Sequence, residues 1–426
     1  MNIAMLTNTF KPHVGGVAES VLRFTEGYRK RGHRVLVVAP EYDEETEDEN
    51  NVVRMTSIDE LTGSDFTIAL PVSPKLRQQL DDFAPQILHS HQPFLVGDTA
   101  VRLAASRDLP LVFTYHTNYE HYTRYAPVDT RGIQKFIIEL STGYSNLCDR
   151  VIAPSESVAE MLRSRGVTTP IRVIPTGVEV DRFAKGDKEI GREKAGIPRE
   201  AFVVGHVGRL APEKNLVFLA ESISRFLNES EYAHAMIVGS GPSQSEMEDA
   251  FQRGTVADRV HFTGVLKNQE LVDAYHAMDV FAFASHTETQ GMVLVEAMAA
   301  GNPVVALDAP GAREVVQDQK NGCLLDDEDR GAFSDSLKWV ENREETEIKA
   351  IRKCARSSAK DFDIAHCVED ALELYEEITS DDERKHRPRN TARMDAILDG
   401  LAREWELWSA RLKALARAAT PEEEDE

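Results

Sequence analysis

Short apolar runs alternate with longer stretches of helical periodicity along most of the chain. The apolar runs have the length of buried strands, and the segments between them have the hydrophobic spacing of amphipathic helices. This alternation predicts βαβ units, in which parallel strands form a sheet that is covered by helices. In the first half the predicted strands are residues 3–6, 35–39, 86–89, 109–115, 151–153 and 171–174.

The same rhythm starts again after the turn at Pro175-Thr176-Gly177. With 426 residues the chain is too long for one ordinary hydrophobic core, so a second domain is expected. The pattern therefore predicts two doubly wound α/β domains, residues 1–178 and 179–362. In the second domain the predicted strands are residues 202–207, 235–238, 260–262, 280–283 and 303–306.

Composition and charge narrow the possible functions. Hydrophobic residues make up 42% and charged residues 28%, as in ordinary folded proteins. The net charge of −23, most of it in residues 201–426, repels phosphates, so we expect no nucleic-acid partner. The four cysteines form no C-x-x-C pair, the N-terminus lacks a secretory signal, and no apolar run is long enough to span a bilayer. These features predict a cytoplasmic protein.

In open α/β sheets, ligands bind outside the carboxyl ends of the strands, where loops lead into helices. Polar or glycine-rich residues follow a predicted strand at five places. They are the loop 10–16 with Gly15 and Gly16, His116, the loop 208–214, the turn 239–242 with Gly241, and the loop 285–291.

Two of these loops carry charges with a definite chemistry. Arg209 and Lys214 lie on one loop and suit a diphosphate. The arginine offers a planar set of hydrogen-bond donors, and the lysine is a compact cation. The alternative is that both are solvated surface charges.

Glu288 precedes a helix that is predicted to start at Gly291, and Glu296 lies inside that helix. One carboxylate could reach the hydroxyls of a sugar and the other those of a ribose. The backbone amides of Gly291, Met292 and Val293 at the helix N-terminus would attract a phosphate. The alternative is that the two glutamates only cap and solvate the helix.

Together these motifs resemble the retaining GT-B glycosyltransferases of family 4. The resemblance covers roughly residues 1–380, and no G-x-G-x-x-G dinucleotide fingerprint is present. It is carried by Glu288-x7-Glu296, Gly208-Arg209 with Lys214, Gly239-x-Gly241-Pro242, Gly15-Gly16 and the segment 296–305.

The resemblance implies two Rossmann-like domains facing each other across a cleft, with the acceptor bound by residues 1–178 and the nucleotide sugar by residues 179–362. A helix at residues 363–379 would cross back to the first domain. By residue, the resemblance implies that Arg209 and Lys214 bind the diphosphate, Glu296 the ribose, Glu288 the transferred sugar, Gly15 and Gly16 a phosphate through the backbone, Gly241 the donor, and His116 the sugar from the opposite domain.

Retaining enzymes of this kind use the leaving phosphate to accept the proton of the acceptor. The resemblance therefore implies neither a side-chain base nor a cofactor. A divalent metal is unnecessary if Arg209, Lys214 and a helix N-terminus stabilise the charge of the leaving group.

Segments 114–122, 146–155 and 287–291 are similar to those of bacterial diacylglycerol glucosyltransferases and their lipid-directed relatives. This similarity implies transfer of glucose from a UDP sugar to a membrane lipid such as diacylglycerol, with an α-glycosidic bond and peripheral contact with the inner face of the cell membrane. The alternatives are a soluble sugar or polyol acceptor, GDP-mannose as donor, a nucleotide-sugar epimerase, and a noncatalytic scaffold.

Five cations could contact anionic headgroups. The alternative is that those at residues 29–31 simply suit a helix C-terminus before Gly32. They are Arg23, Arg29, Lys30, Arg31 and Arg34.

Beyond the region of resemblance, apolar residues alternate at steps of four and three, which predicts an amphipathic helix at residues 391–418. This helix could dock on the rest of the chain, mediate homo-oligomerisation or lie at a membrane surface. The acidic tail at residues 419–426 is predicted to be disordered.

Overall fold

A computed structural model describes most of the first 380 residues, and their contacts divide into two compact units. The described residues are 1–12, 15–42, 51–55, 57–58, 68–69, 74–119 and 130–380. Unit 1 comprises Met1–Pro154, Ala159–Ile174 and the described residues from Val368 on, and unit 2 comprises Ser155–Val158 and Pro175–Cys367. The predicted helix 391–418 and the acidic tail 419–426 lie outside the described residues.

Unit 1 contains a seven-stranded parallel sheet. Its strands are β1 (Asn2–Leu6), β2 (Arg34–Pro40), β3 (Val52–Met55), β6 (Ile87–Ser90), β7 (Leu111–Thr114), β8 (Arg150–Ala153) and β9 (Ile171–Val173). The order across the sheet is β3-β2-β1-β6-β7-β8-β9, so the direction in which successive strands are added to the sheet reverses between β1 and β6. A separate antiparallel pair is formed by β4 (Ser57–Ile58) and β5 (Ile68–Ala69).

Helices connect the strands of this sheet, as parallel strands require. They are α1 (Gly16–Lys30), α2 (Pro74–Phe83), α3 (Val96–Arg107), α4 (Thr130–Ser145) and α5 (Glu156–Ser164).

Unit 2 contains a six-stranded parallel sheet. Its strands are β10 (Phe202–Val207), β11 (Ala233–Val238), β12 (Val260–Gly264), β13 (Val280–Phe283), β14 (Val304–Leu307) and β15 (Gly322–Leu325). The order is β12-β11-β10-β13-β14-β15, so the reversal lies between β10 and β13. The helices are α6 (Val180–Phe183), α7 (Lys188–Ala195), α8 (Leu216–Glu229), α9 (Gln244–Arg253), α10 (Asn268–Ala277), α11 (Met292–Ala300), α12 (Arg330–Glu341) and α13 (Glu345–Lys360).

The central strands of unit 2 are largely apolar because helices cover both faces of the sheet. Successive residues of β10 show this directly. Val203 packs into one hydrophobic cluster and Val204 into another, and neither is exposed.

The last described helix, α14 (Ile364–Ser380), begins in unit 2 and continues in unit 1. Within unit 1 it is anchored by a buried polar chain. Tyr375 Oη lies 3.0 Å from Tyr28 Oη and 2.6 Å from His89 Nδ1, and His89 Nε2 lies 2.7 Å from Thr114 Oγ1. Each of these polar groups has a partner, so their hydrogen bonds offset the cost of burial and specify how α14 docks on unit 1.

The predicted doubly wound α/β architecture is confirmed, and the predicted strands lie within two residues of those observed. Two edge strands, β3 and β15, were not predicted. Among the described residues, none of the helices combines the length and the apolar character needed to span a membrane.

Candidate active site

The carboxyl ends of β10 and β13 bring two charged loops of unit 2 together. The loop 208–214 follows β10, and the loop 284–291 follows β13. These strands are neighbours at the point where the strand order reverses, which is where doubly wound sheets open a crevice for ligands. Four of the predicted site residues, Arg209, Lys214, Glu288 and Gly291, lie on these two loops.

Lys214 and Glu288 form an ion pair between the Nζ and Oε1 atoms. Their side chains are only 20% and 19% exposed. Burial would raise the pKa of Glu288, but the charge of Lys214, with hydrogen bonds from Lys214 and Ser285, holds that pKa below its ordinary value. Glu288 is therefore a carboxylate at neutral pH.

His206, on β10, is a buried neighbour of this pair that was not predicted. Its Nδ1 lies 3.1 Å from the carbonyl oxygen of Ala282, and its buried Nε2 has no hydrogen-bond partner among the described residues. Burial lowers the pKa of His206 to about 4, so the ring is neutral near pH 7. Its sequence context, the interior of an apolar strand, gave no functional signal.

The turn that contains Gly241 packs against the loop of Arg209. Leu210 donates its N–H to Ser240 O at 3.0 Å, and Ser243 donates to Leu210 O at 2.9 Å. A Cβ at Gly241 would clash with Leu210 O. The absence of a side chain at Gly241 therefore lets the two loops approach, and Arg209 lies exposed on the loop that they support.

Three residues outside the predicted site support the backbone of the loop that carries Glu288. Ser155 Oγ donates to Thr289 O at 2.7 Å, and Thr176 N donates to Gln290 Oε1 at 2.5 Å. Gly311 has a φ of +86°, and a Cβ there would lie 2.9 Å from Glu288 Cβ. These contacts fix the backbone of the loop.

Glu296 lies in the second turn of α11 and is 7% exposed. Its Oε2 accepts a hydrogen bond from Tyr275 Oη at 2.9 Å. A carboxylate can accept further hydrogen bonds, so this contact orients Glu296 without saturating it. Gly291, with a φ of +68°, caps α11, and Met292 and Val293 form its first turn. The positive end of this helix dipole lies beside the Glu288 loop.

Three of the predicted site residues belong to unit 1. Gly15 caps α1 and Gly16 is its first residue. His116 follows β7, and its Nε2 lies 2.8 Å from His91 Nδ1. Burial lowers the pKa of His116 to about 3, so its ring is neutral near pH 7. The segment His89-Ser90-His91 was visible in the sequence, but its link to His116 was not predicted.

The described part of the chain contains no group of three His, Cys, Asp or Glu side chains arranged to hold a metal ion.

Two sequence profiles match the chain in succession. The profile of "Glycosyltransferase Family 4" matches residues 14–182, and that of "Glycosyl transferases group 1" matches residues 187–357. The chain belongs to glycosyltransferase family 4. It is thus a retaining hexosyltransferase, and the resemblance inferred from its motifs is confirmed.

Family members with different donors and acceptors are similar to this chain. The alpha-monoglucosyldiacylglycerol synthase of Streptococcus pneumoniae is 29% identical over 331 residues, which cover 76% of this chain and 75% of that protein. The GDP-mannose-dependent alpha-mannosyltransferase of Mycobacterium tuberculosis is 31% identical over 333 residues, which cover 76% and 84%. The crystal structure of Anabaena HepE in complex with UDP shares the fold, with a TM-score of 0.71, 21% identity and coverage of 88% and 100%.

Proposed function

We propose that this family 4 enzyme transfers glucose from UDP-glucose to a hydroxyl of a membrane lipid such as diacylglycerol, forming an α-glycosidic bond. The observation that supports this most is the pairing of Lys214 with Glu288 where the strand order reverses in unit 2. In a nucleotide sugar, the diphosphate and the sugar are joined by one bond. A cation suited to phosphate beside a carboxylate suited to hydroxyls fits that junction.

In this proposal Lys214 and the exposed Arg209 bind the diphosphate, together with the N-terminus of α11. Negative charge grows on the diphosphate as its bond to the sugar breaks. Fixed cations beside it stabilise that charge without the solvent reorganisation that water would need. With this positive charge in place, we expect transfer to be independent of a divalent metal.

Glu288 binds the transferred sugar and Glu296, oriented by Tyr275, binds the ribose. His116 contacts the sugar as a neutral hydrogen-bonding group, in keeping with its depressed pKa. The amides of Gly15 and Gly16 contact a phosphate at the start of α1. The leaving phosphate accepts the proton of the attacking hydroxyl, so no side-chain base is assigned.

The lipid acceptor is supported by the two relatives named alpha-monoglucosyldiacylglycerol synthase, which are 29% and 27% identical to this chain. In unit 1, Lys30, Arg31 and Arg34 are exposed around the end of α1, where they can meet anionic headgroups at the inner face of the cell membrane. Two contacts favour the alternative, an ordinary helix C-terminus. Arg29 Nη2 donates to Val35 O at 3.2 Å, and Arg31 Nη1 donates to Gly27 O at 3.5 Å.

GDP-mannose is the second candidate donor. It is favoured by the 31% identity to the GDP-mannose-dependent alpha-mannosyltransferase of Mycobacterium tuberculosis, which exceeds the identity to the glucolipid synthases.

The test is a screen of UDP-glucose, UDP-galactose, GDP-mannose and ADP-glucose, each radiolabelled in the sugar, with and without mixed micelles of dioleoylglycerol. We expect labelled lipid from UDP-glucose, with an α anomeric signal by NMR. If labelled lipid forms from GDP-mannose alone, the donor is GDP-mannose and not UDP-glucose. If the nucleotide is released equally fast with and without dioleoylglycerol, the proposed lipid acceptor is refuted.

Matched lysine variants connect this activity to the site. Lys214→Ala should abolish most transfer. Lys194→Ala should not, because Lys194 is 54% exposed and pairs with Glu270 at 3.0 Å on the surface of unit 2.

A further inference from the structure

Three histidine rings lie close together at the carboxyl edge of the sheet in unit 1. The ring centroids of His89 and His91 are 4.2 Å apart, and those of His91 and His116 are 5.1 Å apart. Both nitrogens of His89 are engaged, one by Tyr375 and one by Thr114. His89 therefore has a structural role in this histidine cluster. His91 differs from it in its hydrogen bonding.

His91 is 1% exposed and has one satisfied nitrogen. Its Nδ1 lies 2.8 Å from His116 Nε2. Its other nitrogen, Nε2, is buried and has no hydrogen-bond partner among the described residues. A buried polar atom without a partner calls for an explanation in a native protein.

The bond between the two rings has two possible directions. Burial keeps both imidazoles neutral, so one ring must donate an N–H and the other must accept it. If His116 donated, His91 would carry its own proton on the enclosed Nε2, as an N–H with no acceptor in the described part of the chain. If His91 donates from Nδ1, its enclosed Nε2 carries only a lone pair. Orphaned buried N–H groups are rarer than under-satisfied acceptors, so the second direction is favoured.

We propose that His91 is a positioning residue, which donates its Nδ1–H to His116 and thereby fixes His116 in the tautomer that carries its proton on Nδ1. His116 then offers an N–H donor, rather than a lone pair, at that nitrogen. The catalytic consequence rests on the proposed contact of His116 with the transferred sugar, whereas the tautomer does not.

The tautomer is tested directly by NMR of protein labelled with 15N in histidine, without any substrate. In the wild type we expect His116 to show a protonated Nδ1 and a bare Nε2, and His91 to show a protonated Nδ1. Assignment comes from the spectra of His91→Asn and His116→Asn. A proton on His116 Nε2 would overturn the proposal, whatever the substrates of the enzyme are.

Two substitutions of His91 then separate positioning from packing. Asparagine places an amide N–H near the position of Nδ1 and can still donate to His116, whereas leucine cannot. His91→Leu should lower kcat about tenfold while the KM for the nucleotide sugar changes less than about twofold, since misplacement of a reactive contact affects turnover most. His91→Asn should recover kcat to within about threefold of the wild type.

A second histidine pair provides the control. His234 Nδ1 lies 3.0 Å from His261 Nε2 in unit 2, away from the site. His234→Leu and His234→Asn should leave kcat and KM unchanged. Equal losses of kcat in His91→Leu and His91→Asn would contradict positioning by a hydrogen bond. If His91→Leu does not fold, the NMR result and the rescue by asparagine still decide.

Discussion

Replacing Lys214 with alanine removes the cation that keeps Glu288 ionised in a buried position. The two side chains are about four-fifths buried, so solvent screens their attraction less than it would on the surface. A charge-assisted hydrogen bond of this kind contributes about 1.5–3 kcal/mol. We expect Lys214→Ala to lower the free energy of unfolding of unit 2 by about that amount at neutral pH.

The loss of stability in Lys214→Ala should depend on pH. The direction of this dependence follows from the causes of the pKa shift of Glu288. In the wild type the pKa of Glu288 is lowered, so the pair stabilises the protein above the ordinary carboxyl pKa and loses this effect as the pH falls through the lowered value. In Lys214→Ala, burial is largely unopposed and the pKa of Glu288 rises above its ordinary value. The variant should therefore be least impaired near pH 5 and most impaired near pH 8.

Urea unfolding at pH 5 and pH 8, followed by circular dichroism, measures this difference. A double-mutant cycle with Glu288→Gln isolates the pair, because glutamine removes the charge that Lys214 balances. The double variant should be more stable at pH 8 than Lys214→Ala alone, and Lys194→Ala serves as the exposed control. A loss that is equal at both pH values, or additive single effects, would refute the reasoning.

Three further outcomes are expected. Glu296→Ala should weaken UDP binding by about 1–3 kcal/mol in calorimetry, whereas Glu288→Ala should leave it nearly intact and lower turnover; equal losses would contradict separate roles. Transfer should persist in excess EDTA, and a loss that Mg²⁺ or Mn²⁺ restores would contradict metal independence. Asp279→Asn should destabilise unit 2 by about 3–5 kcal/mol in urea, because Asp279 is 8% exposed and lies 2.6 Å from the buried guanidinium of Arg192. The control is the more exposed pair of Asp308 with Arg313, whose side chains are 27% and 48% exposed, and Asp308→Asn should cost less than about 1 kcal/mol.

The alternation of apolar runs and helical patterns was enough to predict both sheets, because strands covered on both faces are nearly continuous apolar runs. The edge strands β3 and β15 were not predicted, and their sequences explain why. β3 is only four residues long and contains Arg54, whose guanidinium donates to Pro40 O at 3.1 Å. β15 begins at Gly322, where a side chain would clash with Val304 O. The arginine interrupts the apolar run of β3, and the glycine limits that of β15 to three residues.

The loops of the site could be predicted, whereas the contacts within them could not. Lys214 and Glu288 were placed at strand ends, and strands that are distant in sequence end at the same edge of a sheet. Their pairing depends on β10 and β13 being neighbours, and nothing in the local sequence specifies this strand order. The same holds for Ser155 and Thr289, which are 134 residues apart, and for His91 and His116.

The two units differ in the electrostatics of their candidate site residues. In unit 2 the described loops bring together formal charges, those of Lys214 and Glu288, with Arg209 on the same loop as Lys214. In unit 1 the rings of His89, His91 and His116 are kept neutral by burial. Glycosyl transfer places growing negative charge on the leaving diphosphate, while the sugar hydroxyls stay uncharged. Cations are therefore useful beside the diphosphate, and neutral donors of fixed direction beside the sugar. The depressed pKa of His116 therefore suits the role that we propose for it, that of a neutral hydrogen-bond donor.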